Sequence, residues 1–121
     1  AGFPGIGTSL PILLSEGINK NRINLNQLVN LTSTNSAKIF GLFGKGSLEI
    51  GYDADITMID LKKEEKVSPE LFGGFSDYLV YDGWNLKGWP VKTIVRGTIV
   101  AEDFEVIGKP GYGNFVPRIS S

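Results

Sequence analysis

Apolar residues fall at helical spacing over the first forty positions. Leu10, Leu13, Leu14 and Ile18 stand at i, i+3, i+4 and i+8, which predicts one apolar stripe on a helix from Ser9 to Lys20. Thr8 or Ser9 is placed to cap its start, and Pro11 fits its first turn. Gly17 and Asn19 weaken its far end, and Lys20-Asn21-Arg22 reads as a polar turn. Asn24 and Gln27 have the N-cap and N3 spacing of a capping box, so a second helix starts at Asn24 with Leu25, Leu28, Val29 and Thr32 inward. A third, short helix runs from about Asn35 to Gly41, a residue suited to a left-handed C-cap.

The pattern changes at Phe43, where glycine and β-branched residues become dense. Lys45-Gly46 and Gly51-Tyr52-Asp53 read as turns, and Ser47–Ile50 and Ala54–Asp60 as strands. Apolar residues are nearly continuous from Ile56 to Ile59, which predicts a strand covered on both faces. Lys62 to Lys66 reads as a charged connection, and 69–90 as irregular. Val91–Val95 and Thr98–Ala101 flank Arg96-Gly97, a hairpin signal, and Glu105–Ile107 extends the second strand. The tail from Lys109 carries Pro110, Gly111, Gly113 and Pro117 and reads as an extended arm. The organisation is a helical end over 1–42, a small β unit over 43–108 and a tail over 109–121. Unpartnered short helices and a small open sheet with exposed edges both call for something to pack against.

Composition narrows the chemistry more than the fold. With 41% hydrophobic and 21% charged residues, the 121-residue chain is that of a globular domain or a piece of one. A net charge of −1 gives no electrostatic case for nucleic acid or an acidic membrane surface as partner. No apolar run approaches the length of a membrane span, and no signal peptide is visible. There is no cysteine, hence no disulfide and no thiolate site, which is compatible with the cytoplasm. The absence of histidine excludes Ser-His-Asp and Cys-His nucleophile systems in this chain and makes zinc catalysis from its residues alone improbable.

Several blocks together resemble a known family. Residues 28–42, ending Ser36-Ala37-Lys38-Ile39-Phe40-Gly41-Leu42, are similar to the "N-P-A-K-I-F-G-L" helix of the cyclic amidohydrolases: dihydroorotase, allantoinase and dihydropyrimidinase. Lys45-Gly46 through Asp53-Ala54-Asp55-Ile56 resembles their "K-G-x-I-x-x-G-x-D-A-D" turn and strand, and residues 91–100 their closing "T-x-V-R-G-x-x-V" hairpin. The G-x-P-G-x-x-T-x-x-P-x-L-L spacing from Gly2 and the Leu86-Lys87-Gly88-Trp89-Pro90 stretch fit the dihydroorotase branch best. Gly7 departs from the Glu common there, Ser36 from Pro, and Asp77 from Lys.

This resemblance implies an α/β parent, a (β/α)8 barrel with a β-sandwich built from both chain ends. The present chain would be the last barrel helices followed by the C-terminal sandwich strands. It also implies two zinc ions in the parent, held by histidines, a carboxylated lysine and an aspartate, with none held by this chain. The parent would hydrolyse dihydroorotate reversibly to N-carbamoyl-aspartate in pyrimidine synthesis, and the piece alone would be inactive. Another cyclic amidohydrolase, such as an allantoinase or hydantoinase, and a noncatalytic amidohydrolase-like module are the alternatives. The expected partners are the substrate, the missing N-terminal barrel and, through exposed apolar surface, a second copy.

The resemblance implies main-chain contacts to substrate from Gly2, Phe3, Pro4 and Gly5, where a glycine-proline loop lets backbone approach a flat polar ring. A plain structural turn before the helix is the competing reading. Asp53 and Asp55 form a D-x-D pair, better explained as a turn and a strand start that bond nearby amides than as metal ligands. Lys38 reads as a solvated helix residue, Trp84 and Trp89 as packing residues and Arg96 as a turn residue.

Overall fold

The computed structural model describes residues 4–73 and 77–119. Its helices are α1 (Ile6–Ile12), α2 (Leu25–Val29) and α3 (Asn35–Phe40). They are not three separate rods. Leu13–Ile18 prolongs α1, and Asn30–Thr34 joins α2 to α3, each as a wider π-helical stretch. Two helical arms result. Their meeting is polar: the Arg22 amide donates to the Gly17 carbonyl at 2.8 Å, five residues back.

The first arm starts earlier than the apolar stripe suggested. Gly5 is its N-cap and offers no side chain, so Thr8 and Ser9 are not caps. Their hydroxyls instead donate back to the Gly5 carbonyl, at 3.1 and 2.7 Å. Pro11 consequently lies inside the helix rather than in its first turn. The second arm starts as expected. The Asn24 side chain accepts the Gln27 amide, and Gln27 Oε1 accepts the Asn24 amide, both at 2.9 Å. Gly41 ends α3 at φ 63°. Of the residues expected to face inward, Leu28 is buried, whereas Leu25 and Val29 stand half out of the chain's own surface.

Four antiparallel strands form one sheet in the order β1-β2-β3-β4: β1 (Ile56–Lys66), β2 (Asn85–Val95), β3 (Thr98–Glu102) and β4 (Glu105–Val106). The β2–β3 turn is Arg96-Gly97, both at positive φ, as a tight hairpin with right-handed twist requires. Several expectations are corrected. Residues 47–50 are irregular rather than a strand and lead into a turn closed by the Tyr52 amide on the Glu49 carbonyl at 3.1 Å. Lys62 to Lys66 is strand, paired through Glu64↔Lys87 and Lys66↔Asn85. Residues 85–90 are strand too, and Glu105–Val106 folds back as its own strand. β1 is not covered on both faces by this chain: Met58 and Ile59 remain exposed.

The core is compact. Val67, Leu79, Leu86 and Trp89 are buried together, with Ile12, Leu71, Phe72 and Tyr81 packed around them. The Trp89 ring is stacked with Phe72 at 6.3 Å and meets Phe104 edge-on at 5.4 Å. Its indole N–H donates to the Leu86 carbonyl at 2.9 Å, so a wholly buried indole is satisfied. No helix among the described residues is long and apolar enough to cross a membrane.

Candidate functional site

The loop at the head of α1 is where sequence reasoning placed substrate contacts. Gly2 and Phe3 lie outside the described residues. Pro4 is exposed and Gly5 half-buried at the helix start. The Gly5 carbonyl accepts three donors, the Ser9 amide at 3.1 Å and the two hydroxyls of Thr8 and Ser9. That oxygen is committed to the helix, so contact with a ligand would fall to the other main-chain groups of the loop.

The arm that carries the loop packs on the short 3-10 turn Pro69–Phe72 and on β2. Residue 7 is glycine because a Cβ there would stand 2.9 Å from ring carbons of Phe72. Thr8, one residue on, is buried. Farther along the same arm, a Cβ on Gly88 of β2 would lie 2.8 Å from the Leu14 Cβ, and Gly88 has φ 102°. At Gly88 the close approach of helix and strand and the positive φ both call for glycine, whereas at Gly7 the neighbour is a side-chain ring that can move.

Two polar side chains hold this contact, and neither belongs to the apolar stripe. Ser15 Oγ accepts the Lys87 amide at 3.1 Å. Asn19 Nδ2 donates to the Lys87 carbonyl at 2.7 Å and the Leu61 carbonyl at 3.2 Å. The available signal was a serine directly after the most buried leucine of the stripe, a poor place for a polar group without a partner. Beside the loop, Gly7, Leu71, Phe72, Trp89, Pro90 and Phe104 help line a groove of about 220 Å3.

The D-x-D pair is a structural clamp. Lys45 Nζ donates to Asp53 Oδ2 at 2.8 Å and also to Asp55 Oδ2. Asp55 Oδ1 accepts the Arg96 amide at 2.8 Å, and the Gly97 amide donates to the Ala54 carbonyl at 3.0 Å. The chain after α3, the start of β1 and the β2–β3 turn are thereby tied together. The Lys45 bond and then the Arg96 amide hold the Asp55 carboxyl below its ordinary 3.8. The same carboxylates, Asp53 foremost, raise Lys45.

Trp89 is a core residue, and Trp84 is half-exposed with its ring edge-on to Tyr81. Lys38 is exposed on α3. Arg96 does more than turn the chain: its guanidinium lies 4.3 Å from the centre of the Tyr112 ring. Among the described residues, no three of the Asp, Glu, His or Cys type gather as metal ligands do, and no buried side-chain polar atom lacks a partner.

Comparison with known proteins widens the view. The sequence profile of the Amidohydrolase family matches residues 8–100. An L-hydantoinase from Paenarthrobacter aurescens is 43% identical over 118 residues, 97% of this chain and 26% of that protein. A dihydroorotase from Pyrococcus furiosus is 41% identical over 110 residues, 91% of this chain and 26% of that protein. The solved structure of L-hydantoinase (dihydropyrimidinase) from Arthrobacter aurescens superposes with a TM-score of 0.92 at 43% identity, covering 97% of this chain and 26% of that one. The chain thus spans about a quarter of the length of the curated relatives it matches.

Proposed function

Because this chain belongs to the amidohydrolase family, we propose that it is the C-terminal part of a cyclic amidohydrolase, an enzyme that opens a ring amide with water. The observation that carries this reading is the match over 97% of the chain, in sequence and in fold, to hydantoinases. On this reading a (β/α)8 barrel lies in the remainder of the polypeptide. The second helical arm supports it: Leu25, Val29, Ile39 and Phe40 are each at least half exposed here and suit a covering partner.

The role of this chain is positioning. On this reading main-chain groups of the loop from Gly2 to Gly5 meet the ring, and Pro4 and Gly5 stand at the head of the first helical arm, which packs on the sheet. Two zinc ions belong to the barrel in this reading, and no reaction step is drawn through residues of the present chain. A hydantoin or dihydropyrimidine ring is the favoured substrate class, supported by the longer match, 118 residues at 43% against 110 at 41% for the dihydroorotase. Dihydroorotate, opened to N-carbamoyl-aspartate, is the second reading, supported by the glycine-proline spacing from Gly2.

The test is hydrolysis of hydantoin, dihydrouracil and dihydroorotate by the full-length protein, before and after chelation and zinc readdition. Preference for hydantoin or dihydrouracil supports the first reading, and preference for dihydroorotate the second. No turnover of any ring amide, together with no bound metal, would sink both and leave a noncatalytic module. Residues 1–121 alone are expected to be inactive.

A further inference from the structure

The tail after β4 lacks regular structure, yet it is fastened at two unequal points. The near anchor is Tyr112. The Arg96 guanidinium lies over its ring and donates to its carbonyl, while its hydroxyl donates to the Val95 carbonyl at 3.2 Å and meets Thr98 Oγ1 at 3.0 Å. Among the described residues the far anchor is one hydrogen bond, from the Ile119 amide to the Gly41 carbonyl at 2.9 Å. Between them Phe115 is 90% exposed. Ile119 also forms one wall of a cleft of about 460 Å3, with Thr34, Ala37, Gly41, Lys45 and Tyr52 among the others.

We propose that residues 109–119 form a latch on this cleft, opening at Ile119 by pivoting about Tyr112. The asymmetry carries the argument. The near anchor combines a stacked cation, a charge-assisted hydrogen bond and the hydroxyl contacts. The far anchor is one neutral backbone bond under a side chain that is 60% exposed. Segments held by few exposed bonds open first. Tyr112 also keeps Ile119 near its acceptor, so the far bond depends on the near one.

Amide hydrogen exchange on the full-length protein tests this. The Ile119 amide should exchange about tenfold faster than the Tyr112 amide, which bonds the Lys109 carbonyl at 3.2 Å. In Tyr112→Ala, protection of Ile119 should vanish while the Ile107 amide, bonded to the Val100 carbonyl at 2.9 Å, keeps its rate. Equal protection of Ile119 in both proteins would overturn the latch, as would Tyr112 opening as fast as Ile119. Should Ile107 also lose protection, Tyr112→Phe decides. It keeps the stacked ring but loses the hydroxyl contacts, so it should raise Ile119 exchange by roughly threefold. An unchanged rate in that variant would overturn the proposal.

Discussion

Asn19 gives its side-chain amide to the Lys87 carbonyl at 2.7 Å, at the point where β1 and β2 fall out of register. Asp60 pairs with Trp89, but the next pair along is Glu64 with Lys87, so β1 carries extra residues there. Such a bulge leaves ladder groups unpaired. Asn19 also bonds the Leu61 carbonyl, and Ser15 takes the Lys87 amide. The helical arm therefore completes the hydrogen bonding of the sheet.

Ser15→Ala should destabilise the protein by about 1 kcal/mol, because it removes the acceptor of a part-buried backbone amide. Asn19→Ala should cost about 1 kcal/mol, since water reaches that site. Denaturant melts of the two singles and the double check this. The double should fall short of or exceed the sum, because both residues serve Lys87.

Gly88→Ala should cost about 1–3 kcal/mol from its positive φ, with the Leu14 clash in addition. Gly97→Ala, which meets nothing within 4 Å, carries only the conformational part. A larger loss at 88 than at 97 in thermal melts is the expected result.

Acid should weaken the Asp55 clamp. Its carboxyl titrates below 3.8 when folded, so its contribution is complete above that value and is lost as pH falls through the folded value. The side chain is a third exposed, which limits the effect to about 0.2–1 kcal/mol. Stability of Asp55→Asn followed from pH 7 to 2 should show a flatter acid limb than the unaltered protein.

Gly7→Ala should push the Phe72 ring off Trp89 without unfolding the core, because the obstructing atoms belong to a side chain. A changed near-ultraviolet dichroism band for Trp89 is the signature. Trp89→Ala, by contrast, should cost about 3–5 kcal/mol.

Local signals were readable from residues alone. The Asn24–Gln27 capping box, the Gly41 cap and the Arg96-Gly97 turn each depend on neighbours within a few positions, and each stands where expected. Lys62 to Lys66 was misread because a strand interrupted by a bulge loses its period of two. The start of α1 was misread because its N-cap is a glycine, which carries no capping side chain. Gly88, Ser15 and Asn19 matter only through long-range partners, which no local pattern displays. At the loop itself, Pro4 and Gly5 were locatable as a helix entry, but the triple use of the Gly5 carbonyl was not.

The packing of Leu14 on Gly88 makes the first arm a lever. From Leu14 to Gly5 the helix axis runs about 13 Å at 1.5 Å per residue. A tilt of about 5° at the Gly88 fulcrum would carry the loop roughly 1 Å, a displacement that costs about a hundredfold in rate when it misplaces a substrate. On the proposed reading, substrate selectivity could then be tuned from the sheet, by substitutions that never touch the ring.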